Sequence, residues 1–298
     1  MMNRIQNVSI RYGRLSPAEA EVWVTVYPER LTSDTQATGR LIGPRCPYAT
    51  TVEVAYPLRE QGREYESTGG PRLSMRAIIP EANLWDPISP FLYQCWLDLW
   101  QGRQCCDRVE VTYGLRVLNL GPRGLRLNGH LLALRGVLVS ECSEAEARAL
   151  HQAGYNTLLV PAGADAVLWD LADRFGFLVL VRIADRAQLK AEVQRAEAFR
   201  KHVCCLGWVV APEAVDQELA GIVAQTLPDR FRGQLLGMEL KQPPAGPLLE
   251  KVSFVLCEEH LRDHLPTHWP KLVLRKRGAE ELVGEAALPP GILGWIEA

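Results

Sequence analysis

The fold is decided by residues 84–137, which read LWDPISPFLYQCWLDLWQGRQCCDRVEVTYGLRVLNLGPRGLRLNGHLLALRGV. Residues 91–100 alternate apolar and polar side chains, which predicts a half-buried β-strand, and residues 108–117 predict a second strand after a short turn. Asn128-Gly129 predicts a tight hairpin, because these residues tolerate the positive φ angles of a two-residue turn. Residues 133–140 are almost wholly apolar, as in a strand covered on both faces. One domain therefore ends and another begins within this stretch.

Three motifs in this stretch closely resemble the junction between the immunoglobulin-like domain and the catalytic barrel of family 2 glycoside hydrolases, the family of β-galactosidases, β-glucuronidases and β-mannosidases. They are LWDPISPFLY (84–93), YGLR (113–116) and LRLNGHLLALRGV (125–137). Because several motifs occur in the expected order and spacing, the resemblance indicates common ancestry. It does not indicate activity, since function depends on the residues of the site and not on the fold.

The hydrophobic pattern differs on the two sides of the junction. Residues 1–118 contain short alternating segments between clusters of Pro, Gly, Ser and Thr. With the two strands described above, these segments predict a seven-stranded immunoglobulin-like β-sandwich. The polar, glycine-rich segment 60–71 predicts a mobile loop within it.

Residues 119–298 alternate apolar strands with helices, which predicts parallel β/α units. Ser143 and Glu146 form a Ser-x-x-Glu capping box at the start of the first helix. Eight apolar runs follow one another, so this part predicts an eight-stranded β/α barrel of the TIM type that lacks its last helix. The helices after its fourth and seventh strands are predicted at 214–226 and 279–287.

Composition limits the classes of partner and cofactor. With 33 basic and 35 acidic residues in 298, the net charge is -2, which predicts neither nucleic acid nor a membrane surface as a partner. The first residues lack the apolar segment of a signal peptide and no run is long enough to span a bilayer, so a cytoplasmic location is predicted. The eight cysteines show no Cys-x-x-Cys or zinc-finger spacing, and we predict no metal and no cofactor.

In TIM-type barrels the chemistry lies at the C-terminal ends of the strands. Trp208 and Glu213 match the family's strand-four motif, and the resemblance implies that Glu213 stands at the acid/base position, although Pro212 replaces the family's Asn. In KLVLRKRGA (271–279), Lys276 occupies the position of the family's nucleophilic Glu. Arg182 stands at the end of strand three, where the family usually carries a Glu.

These departures predict loss of hydrolysis. A retaining glycosidase needs two carboxyl groups about 5 Å apart, one as acid/base and one as nucleophile. The ammonium group of Lys276 cannot form a glycosyl ester, and a nearby cation would lower the pKa of Glu213 and weaken it as a proton donor. We predict that Lys276, Arg182 and Glu213 form an ion-pair network or, alternatively, a polar pocket for a small anion or sugar.

Three hypotheses about function follow. The first is a pseudo-glycosidase that binds carbohydrate or a protein, with Trp208 and Trp295 as candidate stacking surfaces and Glu258 and Arg182 as further binding residues. The second is an active hydrolase that uses Glu213 with a relocated carboxylate, taken from Glu239, Glu258 or Glu259. The third is a structural domain of a larger polypeptide. The flank between strands eight and one is predicted to be covered by a homodimer contact or another protein partner.

Overall fold

The computed structural model describes residues 3–16, 18–66, 70–214, 233–244, 252–276 and 288–298, without the side chains of 196–200. The chain forms two compact units, residues 1–85 with 89–115, and residues 86–88 with 116–298. The helices predicted at 214–226 and 279–287 lie outside the described residues, apart from Ala214.

The first unit is a seven-stranded antiparallel fold with the strand order β1-β2-β5-β4-β3-β6-β7. The strands are β1 (Ile5–Leu15), β2 (Glu19–Pro28), β3 (Thr35–Arg45), β4 (Val54–Glu64), β5 (Arg72–Pro80), β6 (Leu92–Gln101) and β7 (Gln104–Gly114). Strand β4 joins two halves of the fold, because residues 54–58 pair with β3 while residues 59–64 pair with β5. The predicted seven-stranded antiparallel unit is confirmed, and its immunoglobulin-like classification stays a prediction.

Alternate side chains of these strands form one core. Val22, Val24 and Val26 of β2 are fully buried together with Leu97 and Leu99 of β6. This is the period-two burial that the alternating sequence predicts for strands with one solvated face.

Two predictions for this unit were wrong. Residues 60–64 continue β4 instead of forming a loop, because their charged side chains are solvated and pair locally: Arg63 donates to Glu60 at 2.8 Å, and Arg72 of β5 donates to Glu64 at 2.6 Å. Strand β3 was not predicted, because glycines interrupt its pattern. One of them, Gly39, lies so close to β6 that a Cβ atom would be 2.4 Å from the carbonyl oxygen of Trp96.

The second unit begins with a small three-stranded sheet of β8 (Leu118–Gly121), β9 (Gly124–Leu127) and β10 (His130–Leu131). Strands β9 and β10 are antiparallel, and Asn128 and Gly129 between them have φ angles of 51° and 87°. The predicted hairpin is therefore confirmed, with the positive φ angles that the Asn-Gly pair was expected to adopt.

A closed parallel barrel of eight strands follows, which confirms the predicted barrel. Its strands are β11 (Leu134–Leu138), β12 (Thr157–Pro161), β13 (Leu178–Ile183), β14 (Cys205–Val210), β15 (Leu235–Leu240), β16 (Phe254–Glu258), β17 (Lys271–Arg275) and β18 (Ile292–Glu297). The described α-helices are α1 (Glu144–Gln152), α2 (Ala166–Phe175) and α3 (Arg186–Arg200). The capping box of Ser143 and Glu146 is present at α1.

The register of the strands separates the inner face of the barrel from the outer face. Met238 and Leu240 of β15 pack against Leu261 and Leu265, which follow β16 on the outside. Successive side chains on a strand point to opposite faces, so Glu239 points into the barrel. Glycines make room there for larger neighbours, as at Gly237, where a Cβ atom would be 2.4 Å from the ring of Phe254.

Among the described residues, no helix is both long enough and apolar enough to cross a membrane.

Candidate functional site

An ion pair between Arg182 and Glu239 occupies the inner face of the barrel near the C-terminal ends of β13 and β15. The Nε and Nη2 atoms of Arg182 donate to the two carboxylate oxygens of Glu239 at 2.8 and 2.7 Å. Two parallel hydrogen bonds of this kind fix both side chains and are stronger than hydrogen bonds between neutral groups. The carboxylate is 5% exposed and the guanidinium side chain 35% exposed, so the pair seals part of the barrel interior and reaches solvent on one side.

This pairing follows from strand position. Arg182 is in register with Val209 of β14, which is in register with Gly237 of β15, two residues before Glu239. All four residues therefore belong to the same, inner face. The Glu239 carboxylate raises the pKa of Arg182, with the hydrogen bond as the main cause and burial opposing it. Arg182 is thus held as a cation whose charge is neutralised within the protein.

The acid/base candidate, Glu213, lies in a short 3-10 helix, Pro212–Ala214, directly after β14. Its side chain is 64% exposed, and the Nζ atom of Lys241 lies 3.7 Å from its Oε1 atom. Both side chains are largely solvated, so this ion pair contributes little to stability.

The predicted network of Lys276, Arg182 and Glu213 was wrong in its pairing. Arg182 is bound to Glu239 and Glu213 lies beside Lys241, and no ion pair within the described part of the chain joins Glu213 to Arg182 or Lys276. Opposite charges selected nearer partners, because Arg182 and Glu239 share the inner face two strands apart. Lys276 is exposed directly after β17.

The other carboxylates proposed as a second catalytic group also have basic neighbours. Glu258, at the end of β16, is exposed, and the Nδ1 atom of His260 lies 3.3 Å from its carboxylate. Glu259 lies 3.5 Å from the Nε atom of Arg275.

The two tryptophans predicted as sugar-stacking surfaces do not line the barrel mouth. Val209 shares the inner face with Arg182, so Trp208 before it points outward, and its side chain is fully buried. Trp295 also points outward, since it is in register with Val273, which neighbours the inward-facing Leu272. The guanidinium groups of Arg135 and Arg275 lie 5.3 and 5.0 Å from its ring centre. The sequence prediction used position along the strand and ignored the face of the barrel, which is why it was wrong.

The predicted homodimer or other partner on the flank formed by the outer faces of β18 and β11 stays a prediction. At this flank Trp295 is 9% exposed.

A group of potential metal ligands that the sequence did not predict lies between α2 and β14. The ligand atoms of Asp173, His202 and Cys204 are all within 4.8 Å of one another. They already bind one another: His202 Nδ1 is 2.7 Å from an Asp173 carboxylate oxygen, and the Cys204 amide donates to the other oxygen at 2.8 Å. Burial raises the pKa of the Cys204 thiol well above its usual value, with the charge of Asp173 adding to the effect. The arrangement therefore fits a structural link better than a metal centre, which needs the thiolate form.

The geometry thus supplies one solvated carboxylate after β14, a neutralised ion pair in the barrel interior, and lysines beside or opposite them. Acid/base catalysis by Glu213 alone would lack a nucleophile of the retaining type, since Glu239 is bound through both oxygens to Arg182. The pairing of Arg182 with Glu239 was missed from sequence. A signal existed, because each is the single charge in an otherwise apolar strand (LVLVRI and LLGMEL) and each is penultimate in its strand.

Comparison with known proteins agrees with this architecture. Residues 3–116 match the model for glycosyl hydrolases family 2. A β-galactosidase of Bacteroides ovatus is 28% identical over 121 residues, which cover 36% of this chain and 14% of that protein. A β-galactosidase of Psychromonas ingrahamii is 25% identical over 158 residues, which cover 48% of this chain and 15% of that protein. The alignments span only a small part of these relatives.

Solved structures are similar over nearly the whole chain. A glycosyl hydrolase family 2 member from Bacteroides cellulosilyticus has a TM-score of 0.73 at 14% identity, with 99% of this chain and 44% of that chain covered. The β-glucuronidase of Bifidobacterium dentium has a TM-score of 0.70 at 12% identity, with 99% of this chain and 60% of that chain covered. At such low identity the similarity establishes the fold.

Proposed function

From its relationship to the family 2 glycosyl hydrolases we propose that this chain is a catalytically inactive relative of these enzymes. Its barrel mouth serves as a binding surface for carbohydrate or for a protein. The hydrolase activity in the names of the relatives is a property of much longer proteins and is not transferred to this chain.

The observation that carries the proposal is the ion pair between Arg182 and Glu239. A retaining glycosidase keeps two carboxyl groups about 5 Å apart around the scissile bond, and one of them must be able to attack the sugar. Here the most buried carboxylate of the barrel mouth is bound through both oxygens to a guanidinium group. Breaking this contact to free a nucleophile would leave a charge in a largely buried place, which is costly.

The position that matches the family's nucleophile supports the same proposal. Lys276 follows β17 and its side chain is exposed. An ammonium group cannot form the glycosyl ester of the retaining reaction, and it opposes positive charge developing on the sugar ring in the transition state. Glu213 can still accept or donate a proton, but no partner for it is free of a cation among Glu239, Glu258 and Glu259.

An active hydrolase that uses Glu213 is the second candidate, favoured by the exposure of this carboxylate at the end of β14. Hydrolysis of aryl β-galactosides, β-glucuronides, β-mannosides and β-glucosides separates the two. We expect the purified protein and its Glu213→Gln variant to show the same residual rate. Turnover that Glu213→Gln abolishes would contradict the proposal and establish a rebuilt catalytic site.

If turnover is absent, the ligand class is decided by binding. Saturation-transfer NMR with the corresponding free sugars is expected to show contacts that weaken in Glu213→Gln or Lys241→Gln, because both side chains lie at the barrel mouth. Arg108→Gln, an exposed substitution in the first unit, is the matched control and is expected to leave these contacts unchanged.

A further inference from the structure

A cavity of about 590 Å³ lies at the N-terminal end of the barrel. It is enclosed by segment 86–88, by the hairpin residues around 127–133, and by the end of α1 with residues 154–156, all within the second unit. It also borders Arg135, the second residue of β11. The barrel mouth with Glu213 lies at the opposite ends of the strands, so the cavity is a separate feature of the barrel.

The walls of the cavity are held by hydrogen bonds within the protein. Asn156 accepts the N–H of Arg135 and donates to the carbonyl of Ala133, both at 2.8 Å. Asn128 accepts the N–H of Val117 at 2.9 Å. The Asp86 carboxylate accepts the N–H of Ile88 at 2.8 Å. The cavity is therefore formed before any ligand binds, which lowers the entropic cost of binding.

Large aliphatic side chains at this cavity are exposed. Ile88 is 80% exposed and Leu131 is 60% exposed, and both line it together with the side chains of Leu127 and Leu132. Exposed aliphatic groups that converge on one concavity of a few hundred cubic ångströms are typical of a ligand site, whereas single exposed ones are common on any surface.

The charges around the cavity favour an anion. Its ionisable lining residues are Asp86, His130, Arg135, His151 and Tyr155. The two acidic groups are directed at protein partners, since Asp86 binds the Ile88 amide and the Tyr155 hydroxyl donates to Glu297 at 2.8 Å. The other three are a permanent cation and two side chains that can take up a proton.

We propose that this cavity binds a small amphipathic anion, a ring compound that carries a carboxylate or sulfonate. The ring lies against Ile88 and Leu131, and the anionic group lies beside Arg135 and His130. The apolar wall supplies most of the affinity, and the cationic groups orient the ligand.

Two fluorescent probes with the same rings test the proposal. One is 8-anilinonaphthalene-1-sulfonate, which is anionic, and the other is N-phenyl-1-naphthylamine, which lacks the sulfonate. With the full chain at pH 6, we expect saturable binding of the sulfonate and about tenfold weaker binding of the uncharged probe, a difference typical of one favourable charge contact. Arg135→Gln is expected to weaken the sulfonate about tenfold and to leave the uncharged probe unchanged.

A matched pair of surface variants locates the site. Leu131→Asp is expected to weaken both probes, whereas Val167→Asp, at a residue that is also 60% exposed but lies on α2 away from the cavity, is expected to weaken neither. Both side chains are on the surface, so neither change threatens the fold. Unaltered binding in Leu131→Asp, or fluorescence that does not saturate, would overturn the site. Equal affinity for the two probes would overturn its preference for an anion.

Discussion

The ion pair of the barrel interior gives the sharpest prediction about stability. Replacing Arg182 by Met would leave the Glu239 carboxylate, 5% exposed, without a counter-charge. Loss of one partner from a fully buried pair costs about 3–5 kcal/mol. Because Arg182 is 35% exposed and water reaches its side of the pair, we expect about 2–3 kcal/mol here.

The reverse change is expected to cost less. Glu239→Leu leaves a guanidinium group that already contacts solvent, so we expect a loss of about 1–2 kcal/mol. The double variant Arg182→Met/Glu239→Leu contains no unpaired charge and is expected to lie within about 1 kcal/mol of the unsubstituted protein. The three variants therefore form a double-mutant cycle with a coupling energy of about 2–4 kcal/mol.

Urea-dependent hydrogen–deuterium exchange is the suitable assay, because peptides from β13 and β15 report the barrel separately from the first unit. The free energy of opening is compared for the three variants and the unsubstituted chain. Additive losses, with the double variant as unstable as the sum of the single variants, would refute the reasoning. They would mean that the two side chains do not depend on each other in solution.

Three further predictions concern single residues. Burial lowers the pKa of His151, so its contribution to stability is complete above its unfolded pKa of about 6.5 and is lost as the pH falls below it; the melting temperature should fall less between pH 7.5 and 5.5 in His151→Gln. Gly176 has a φ of 80° and a Cβ atom there would lie 2.4 Å from the carbonyl oxygen of Pro87; Gly176→Ala should cost about 2 kcal/mol in urea unfolding, whereas Gly121→Ala, with open space around it, should cost less than about 1 kcal/mol. Ser143→Ala removes the N-cap of α1 and should cost about 1 kcal/mol by the same assay, with Ser143→Thr restoring most of it.

Local patterns in the sequence were sufficient for most of the fold. The Asn128-Gly129 turn and the capping box at Ser143 were predictable because a few neighbouring residues determine their geometry. The eight barrel strands were predictable because strands buried on both faces are almost entirely apolar. Strand β3 was not, because Gly39 lies where the backbone of β6 approaches closely, and a glycine in a sequence gives no sign of what packs against it.

The candidate site was less predictable, because it depends on which face of the barrel each residue occupies. Position at a strand end correctly brought Glu213 to the barrel mouth, but it also selected Trp208, which points outward and is buried. The pairing of Arg182 with Glu239 joins residues 57 positions apart, across an intervening strand. Only the register of three strands places them together, and register is set by tertiary packing.

The central claim is that no carboxylate of the barrel mouth can act as a nucleophile. The most direct test is intact-mass measurement after incubation with 2-deoxy-2-fluoro-β-glycosyl fluorides of galactose and glucose. In a retaining enzyme these reagents form a glycosyl ester that hydrolyses slowly, because fluorine destabilises the positively charged transition state and fluoride is a good leaving group. We predict an unchanged mass for the protein and for its Glu213→Gln variant. A mass increase of one fluorosugar, located by peptide mapping on Glu239, Glu258 or Glu259, would contradict the account.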